Sequence, residues 1–494
     1  MNILLLSMPD SFEHMPAHGM RLPTASLTSL AGNIDAHHRV AVADLILVQR
    51  RVRASIERLV RQFEPDLVGL SVMTFQRRSA LRIAELVRSL RPAARIVAGG
   101  YDPSLAPEAY AGAADFLVRG EGEITFRELV RALERGNGYG HIEGLWYRDG
   151  DRFSQNPDRP VSRLNGDEIR LPNRGARVLD GYTLMGRPVD VVETSRGCTF
   201  DCSFCSIVAL RGRNFHTYRM DRVLEDIRDA LDRGARTIFL VDDNITLDVA
   251  RFEAFCRALI DARLNRAEYI VQAMTSALAN HGATLAPLMR RAGFRYVFLG
   301  IENVLESDLS FLRARSKNEE RAHGHVVRNA ARRAIDHLHR NGLYVVGGLI
   351  VGNPDDTRAS IEANLDFARR YVDWPYIQHP TPYPRTPMSN EFRARGLIVS
   401  DRWEEYDGTT AVVRSEHLAA EEIEFMRWRA ERWMKLRHMP ASFLHSPFFV
   451  ARIGHRMLRH TFRGSTLRSM LGLEDARKAF ERYRSRRRAE RNYL

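Results

Sequence analysis

Cys198, Cys202 and Cys205 fall within eight residues, although the whole chain has only four cysteines. They stand in Cys198-Thr199-Phe200-Asp201-Cys202-Ser203-Phe204-Cys205, a C-x3-C-x2-C spacing. Thiolates are soft ligands that select zinc, copper or iron–sulfur centres. A closed zinc site takes four ligands, and no fourth cysteine lies close. Three thiolates on one short loop suit a [4Fe–4S] cluster with one iron left open to bind and reduce something. The loop follows an apolar stretch, Val189–Thr194, which puts it at the carboxyl end of a strand. Cys256 lies on the apolar helical face of Phe252–Ile260 and reads as a core residue. His216 reads as a loop residue.

Two series of alternating strands and helices would position that loop. In the first, Asn2–Ser7, Arg39–Leu47, Asp66–Val72, Arg95–Ala98 and Asp115–Val118 read as strands. Leu22–Asn33, Arg53–Phe63, Ser79–Leu90 and Thr125–Arg135 read as helices. This pattern predicts an α/β fold, a doubly wound parallel Rossmann-like sheet over residues 1–143. Ligands of such sheets sit at the carboxyl ends of strands, where Ser71, Gly99, Gly100, Gly120 and Glu121 fall. Residues 144–188 read as a linker with a hairpin, Leu145–Phe153, turning on Asp149-Gly150. A second series, residues 189–400, has six candidate strands: Val189–Thr194, Thr237–Asp242, Tyr269–Met274, Tyr296–Ile301, Tyr344–Val351 and Tyr376–Pro380. It predicts a partial (β/α)6 barrel. Residues 401–494 read as a helical region with a basic, solvated tail, clearest in Glu421–Arg437 and Leu473–Arg491.

Composition narrows the function classes. Hydrophobic residues make up 44% and charged residues 27%, which excludes a disordered or collagen-like chain. No apolar run approaches the ~18 residues of a membrane span, and Met1–Leu6 lacks the marks of a signal peptide. The expected location is the cytoplasm, with peripheral membrane contact through the apolar and basic stretch around Ala441–Val450. The net charge is +13, but 71 of the 74 basic residues are arginine and only Lys317, Lys435 and Lys478 are lysine. No nucleic-acid reader motif accompanies that charge, so nucleic acid is not the expected partner.

The cysteine loop resembles the signature of radical S-adenosylmethionine (SAM) enzymes, C-x3-C-x-aromatic-C, with Phe204 as the aromatic. Gly300-Ile301-Glu302-Asn303 is similar to the family's Gly-Ile-Glu-Ser. Gly348–Thr357 resembles its Gly-x-Pro-x-acidic-Thr stretch. Thr381–Pro387 resembles its Pro-Tyr-Pro-Gly-Thr-Pro segment, with Arg385 where glycine is usual. The N-terminal region resembles the cobalamin-binding domain that precedes this barrel in one large subgroup. Ser71-Val72-Met73 matches its Ser-x-Leu element, and Gly99-Gly100 its Gly-Gly. The Asp-x-His-x-x-Gly element is absent, since Asp10 and His14 are wrongly spaced. Cobalamin is therefore expected base-off, without a histidine ligand. The low cysteine count excludes methylthiotransferases, cysteine-relay RNA methylases and barrels with auxiliary clusters.

The resemblance implies roles for single residues. Cys198, Cys202 and Cys205 would hold a [4Fe–4S] cluster that binds S-adenosyl-L-methionine. Phe204 would lie beside adenine, Asp242 or Asp243 would take the SAM amino group, and Glu302 and Asn303 the ribose. Gly352 and Asn353 would contact adenine. Ser71, Gly99, Gly100, Gly120 and Glu121 would bind cobalamin. The implied activity is methylation of an unactivated carbon, by hydrogen abstraction and methyl transfer from methylcobalamin. Similarity to the anaerobic magnesium-protoporphyrin ester cyclase keeps oxidative ring formation as an alternative. A non-catalytic corrinoid- or metal-binding protein is a further one. The expected partners are a small molecule (lipid, tetrapyrrole or natural product) and a reductant such as flavodoxin or ferredoxin.

Overall fold

The computed structural model describes residues 1–11, 20–150, 152–322, 325–328, 330–445, 451, 462, 466–470, 473–489 and 493–494. His14 and most of the stretch from 446 to 465 lie outside them. Two parallel sheets carry the architecture. The first contains β1 (Asn2–Ser7), β2 (Arg39–Asp44), β3 (Leu67–Ser71), β4 (Arg95–Gly99), β5 (Phe116–Val118), β6 (Leu145–Asp149) and β7 (Arg152–Gln155). Its order is β2-β1-β3-β4-β5-β6-β7, with the first five strands parallel and the last two antiparallel. The central strand β1 is apolar on both faces. Leu4 and Leu6 enter one core and Ile3 and Leu5 the other, as alternation along a covered strand requires. The hairpin of the expected linker, β6–β7, completes this sheet rather than standing apart. The strand order reverses between β1 and β3, which opens a crevice at their carboxyl ends.

The second sheet holds β8 (Arg187–Val192), β9 (Thr237–Leu240), β10 (Glu268–Met274), β11 (Phe294–Glu302), β12 (Tyr344–Ile350) and β13 (Trp374–Gln378). These six are parallel and neighbour one another in chain order, a half-barrel with helices outside. Past β8 the sheet gains two short antiparallel strands, Thr183–Leu184 and then Met20–Arg21. The N-terminal part of the chain thus supplies the edge of the barrel sheet. A two-stranded ladder, Glu319–Ala322 with His325–Arg328, is a further element absent from the expected pattern.

The linker is anchored by buried charge. Arg174 is 4% exposed and reaches Asp190 on β8 at 3.2 Å and Asp226 on the next helix at 2.5 Å. Arg177 pairs with the same Asp190 at 2.7 Å. At the other end, helix Ala420–His445 lays Ile423, Met426 and Ala430 into the barrel core. Helix Ala476–Ala489 packs Phe480 on Phe425 and Trp428. The basic tail is docked there rather than solvated. Arg487 is 4% exposed and donates to Asp407 at 2.6 Å. Trp403–Glu405 and the last residues return to the first domain: Arg77 stacks 4.3 Å from the Trp403 ring centroid, and Arg82 donates to the Leu494 carbonyl. Among the described residues no helix is long and apolar enough to cross a membrane.

Removing the buried counter-charge of Asp407 tests this docking. Arg487→Ala is expected to cost about 3 kcal/mol, read as a lower denaturation midpoint, and to expose helix 476–489 to proteolysis.

Candidate active site

The cysteine loop is built at the carboxyl end of β8 and closed at its base by a short ladder. Ser195 pairs with Thr217 and Arg196 with His216, so His216 serves the ladder. Other parts of the chain pin the loop. Ser203 N–H donates to the Leu312 carbonyl at 3.0 Å, and the Ser203 carbonyl accepts from Met388 N–H at 2.9 Å. Cys202 joins an apolar cluster with Leu309, Leu312, Met388 and Phe392, against which Phe204 packs. Cys198 is 9% and Cys202 4% exposed, while Cys205 is half-buried. Cys256 is fully buried in the barrel core, as its apolar helical face implies.

Burial pushes the Cys202 thiol up to about 12 and the Cys205 thiol up to about 11. Cys202 also feels both other thiols and Cys205 feels Cys198, so three thiolates here would need a cationic guest to offset their charge. Three cysteine sulfurs on one loop, with Cys256 away in the barrel core, fit a cluster that keeps one iron open rather than a closed four-ligand zinc site.

Beside the cysteines lies one of the chain's three lysines. Lys317 donates to Glu302 Oε1 at 3.1 Å and stands 6.0 Å from the Phe204 ring centroid. Burial alone would push its ammonium down. Glu302 and the three thiols outweigh that and hold it above the usual lysine range. An ammonium has three donors, and the other two have no partner among the described residues. Glu302 is placed by backbone geometry: the β11–β12 register shifts between Gly300 and Glu302, and Glu302 sits at φ 62°. A Cβ on Gly300 would lie 2.9 Å from Glu302 Oε1, so glycine makes room for the carboxylate. The site fits a small anionic ligand group held by Lys317. Nothing in the sequence pattern singled out this lysine except its rarity.

The other barrel-mouth residues divide. Asp242 is 1% exposed and accepts from Thr194 N–H at 2.8 Å and from the Thr194 and Ser195 hydroxyls. Asp243 accepts from Gly197 N–H at 2.7 Å, directly before Cys198. Both hold the loop through their own carboxylates. The neighbouring Asn244 amide points at Cys198 Sγ at 3.8 Å. Asn303 is committed to backbone, donating to Ile350 and accepting from Leu305 N–H. Gly352 and Asn353 give their N–H groups to Asp356 Oδ2 at 2.7 and 2.8 Å. The Asn353 side chain is 1% exposed and lies against the buried Asp308 carboxyl, whose pKa it pulls down against burial.

The carboxyl edge of the first sheet faces this mouth. Ser71 and Gly99 end β3 and β4, both half-buried. Gly100, at φ 101°, turns the chain so tightly that a Cβ would meet the Val72 carbonyl at 2.9 Å. That glycine serves the protein's own turn. At Gly120 a Cβ would project into open space, so the edge there is bare backbone, which suits a large flat cofactor with a tail. Tyr101 follows the glycines, close enough to Asp243 and Cys205 to feel their charge. Glu121 pairs with Arg211 at 2.9 Å, and Glu123 with Arg196 at 2.6 Å. Arg196 also holds Glu193 at 2.7 Å, whose carboxyl burial raises to about 7 against the pull of that arginine. The two sheets therefore open onto one cleft, and Arg196 and Arg211 flank the cysteines within the bridge. Sequence reasoning missed both arginines and Tyr101, because their role depends on the facing domain.

Residues 19–130 match the B12 binding domain family, and residues 192–368 match the Radical SAM superfamily. An uncharacterized methyltransferase of Pyrococcus horikoshii is 28% identical over 93% of this chain and 98% of its own length. The anaerobic magnesium-protoporphyrin IX monomethyl ester cyclase of Rubrivivax gelatinosus is 27% identical over 81% of this chain and 71% of its own. The fold is similar to that of the cobalamin-dependent SAM radical enzyme OxsB, solved with aqua-cobalamin and SAM bound. That match has a TM-score of 0.67 at 16% identity, over 99% of this chain and 71% of that one.

Cys202→Ala is expected to abolish cluster loading while the chain stays folded. Iron and sulfide per chain after anaerobic reconstitution, beside circular dichroism, check it.

Proposed function

We propose that this chain, which joins a B12-binding domain to a radical SAM domain and so belongs to the cobalamin-dependent radical SAM enzymes, methylates an unactivated carbon of a small apolar molecule. The observation that carries the reading is the shared cleft. Arg211, six residues after Cys205, pairs with Glu121 on the carboxyl edge of the first sheet. Bound there, an iron–sulfur cluster, SAM and cobalamin supply one-electron cleavage of a sulfonium and transfer of a methyl group to carbon.

The chain's own residues do the holding. Cys198, Cys202 and Cys205 ligate the cluster. Lys317, fixed by Glu302, holds the ligand carboxylate. Ser71, Gly99, Gly120 and Glu121 form the cobalamin edge, with no histidine among them. Burial of the loop by Leu309, Leu312, Met388 and Phe392 keeps water from the reactive centre. The substrate class is a lipid, tetrapyrrole or natural product, and a flavodoxin or ferredoxin supplies the electron. Contact with a membrane surface through residues 441–459 would present an apolar substrate.

The likeness to the ester cyclase favours one second reading, oxidative ring formation without methyl transfer. Products decide between them. Methylation yields S-adenosylhomocysteine and 5′-deoxyadenosine together, whereas cyclisation yields no S-adenosylhomocysteine. The expected anaerobic result is both products in step with a methylated substrate, and neither from Cys202→Ala.

Lys317→Met is expected to weaken SAM binding about 10- to 100-fold, the worth of charge-assisted hydrogen bonds, at unchanged iron content. Equilibrium binding to the cluster-loaded protein measures it.

A further inference from the structure

Far from that cleft, on the outer side of the first domain, three ligand-type side chains converge. His37 and His38 occupy the turn between helix Ala25–Asn33 and β2, where His38 N–H donates to the Asp35 carbonyl at 3.1 Å. The turn swings both rings to one side, with centroids 4.0 Å apart and planes at 42°. Glu134 comes from the last turn of helix Glu123–Arg135. Its Oε1 lies 2.8 Å from His37 Nε2 and its Oε2 lies 3.8 Å from His38 Nε2. One ligand atom from each residue falls within 4.8 Å of the others, and among the described residues no other trio of His, Cys, Asp or Glu does so.

His38 supplies the second observation. Its side chain is wholly enclosed, and its Nε2 makes no hydrogen bond. A buried polar atom left unpaired is costly, and this one is aimed at the Glu134 carboxylate. Nδ1 faces the Met1 amino group at 3.2 Å, which orients the ring and leaves Nε2 inward.

We infer that His37, His38 and Glu134 form a site for one divalent transition-metal ion of the zinc type, separate from the cysteine centre. Two imidazoles and a carboxylate are a zinc ligand set, with ligand atoms about 3.3 Å apart around the ion. The contacts of 2.8 and 3.8 Å run to the two oxygens of Glu134, so a turn of that carboxylate sets one oxygen against both imidazole nitrogens. The ion takes the Nε2 lone pairs and one carboxylate oxygen and leaves a fourth position for water; each imidazole keeps one proton, on Nδ1, and for His38 that N–H then faces the Met1 amine, whose extra proton goes to solvent. It ties the start of β2 to the end of a helix whose first residue, Glu123, grips Arg196 beside the cysteine loop.

The test uses the full chain with its cluster reconstituted, so the cysteines are occupied, and with any affinity tag removed. Zinc is added by equilibrium dialysis, counted by elemental analysis, and inspected by zinc-edge X-ray absorption. The expected result is one zinc per chain with nitrogen and oxygen neighbours and no sulfur. The zinc-dependent rise in melting temperature and the binding itself should fall about 100-fold in His37→Ala and Glu134→Gln. His37 is exposed, so its replacement leaves the fold intact. Equal zinc in wild type and variants, or a sulfur-coordinated ion, overturns the site.

Discussion

The contact on which the arrangement rests is the pair of arginines that bracket the cysteine loop. Arg196 and Arg211 leave the barrel and are met by Glu123 and Glu121 from the first sheet, with Glu193 sharing Arg196. Charges taken out of water are costly unless each finds a partner at short range. The bridge is thus satisfied in one relative placement of the domains and penalised in others. It works as a register device: it fixes Glu121, at the carboxyl edge of the first sheet, against Arg211, six residues past Cys205. A hydrophobic interface of equal area would hold the domains together but would tolerate sliding.

Around that register, the barrel mouth spends its polar groups on positioning. Asp242 and Asp243 bind Thr194, Ser195 and Gly197, so the cysteine loop inherits the rigidity of β8 and β9. Glu302 accepts a left-handed backbone to aim at Lys317 rather than at solvent. A lysine suits this place because its ammonium is a compact point charge, where a planar guanidinium would need more room. In a chain that otherwise uses arginine, that exception has a spatial cause.

Much of this was legible before any coordinates. The continuous apolar runs of β1 and β3 identify covered parallel strands, and six further strands alternating with helices identify the half-barrel. The cysteine spacing carries its chemistry within eight residues. What could not be read depends on distant parts of the chain. Asn303 fits a ribose-binding motif by position, yet its amide is used by the backbone of Ile350 and Leu305. Gly100 fits a cofactor-approach motif, yet its freedom is used by Val72. The tail reads as solvated because its periodicity is swamped by arginine, and only the acidic residues of the facing helix and loop reveal that Arg487 is buried.

The two-residue strand Met20–Arg21 has an outcome larger than its size. It crosses from the first sheet to lie against Thr183–Leu184, the rim of the second. The chain is therefore laced rather than hinged at its middle. Cutting the gene at residue 188 would split β8 and take both short edge strands from the barrel sheet. The N-terminal stretch and the barrel rim are thus tied by backbone pairing as well as by the charges that face each other across the cleft.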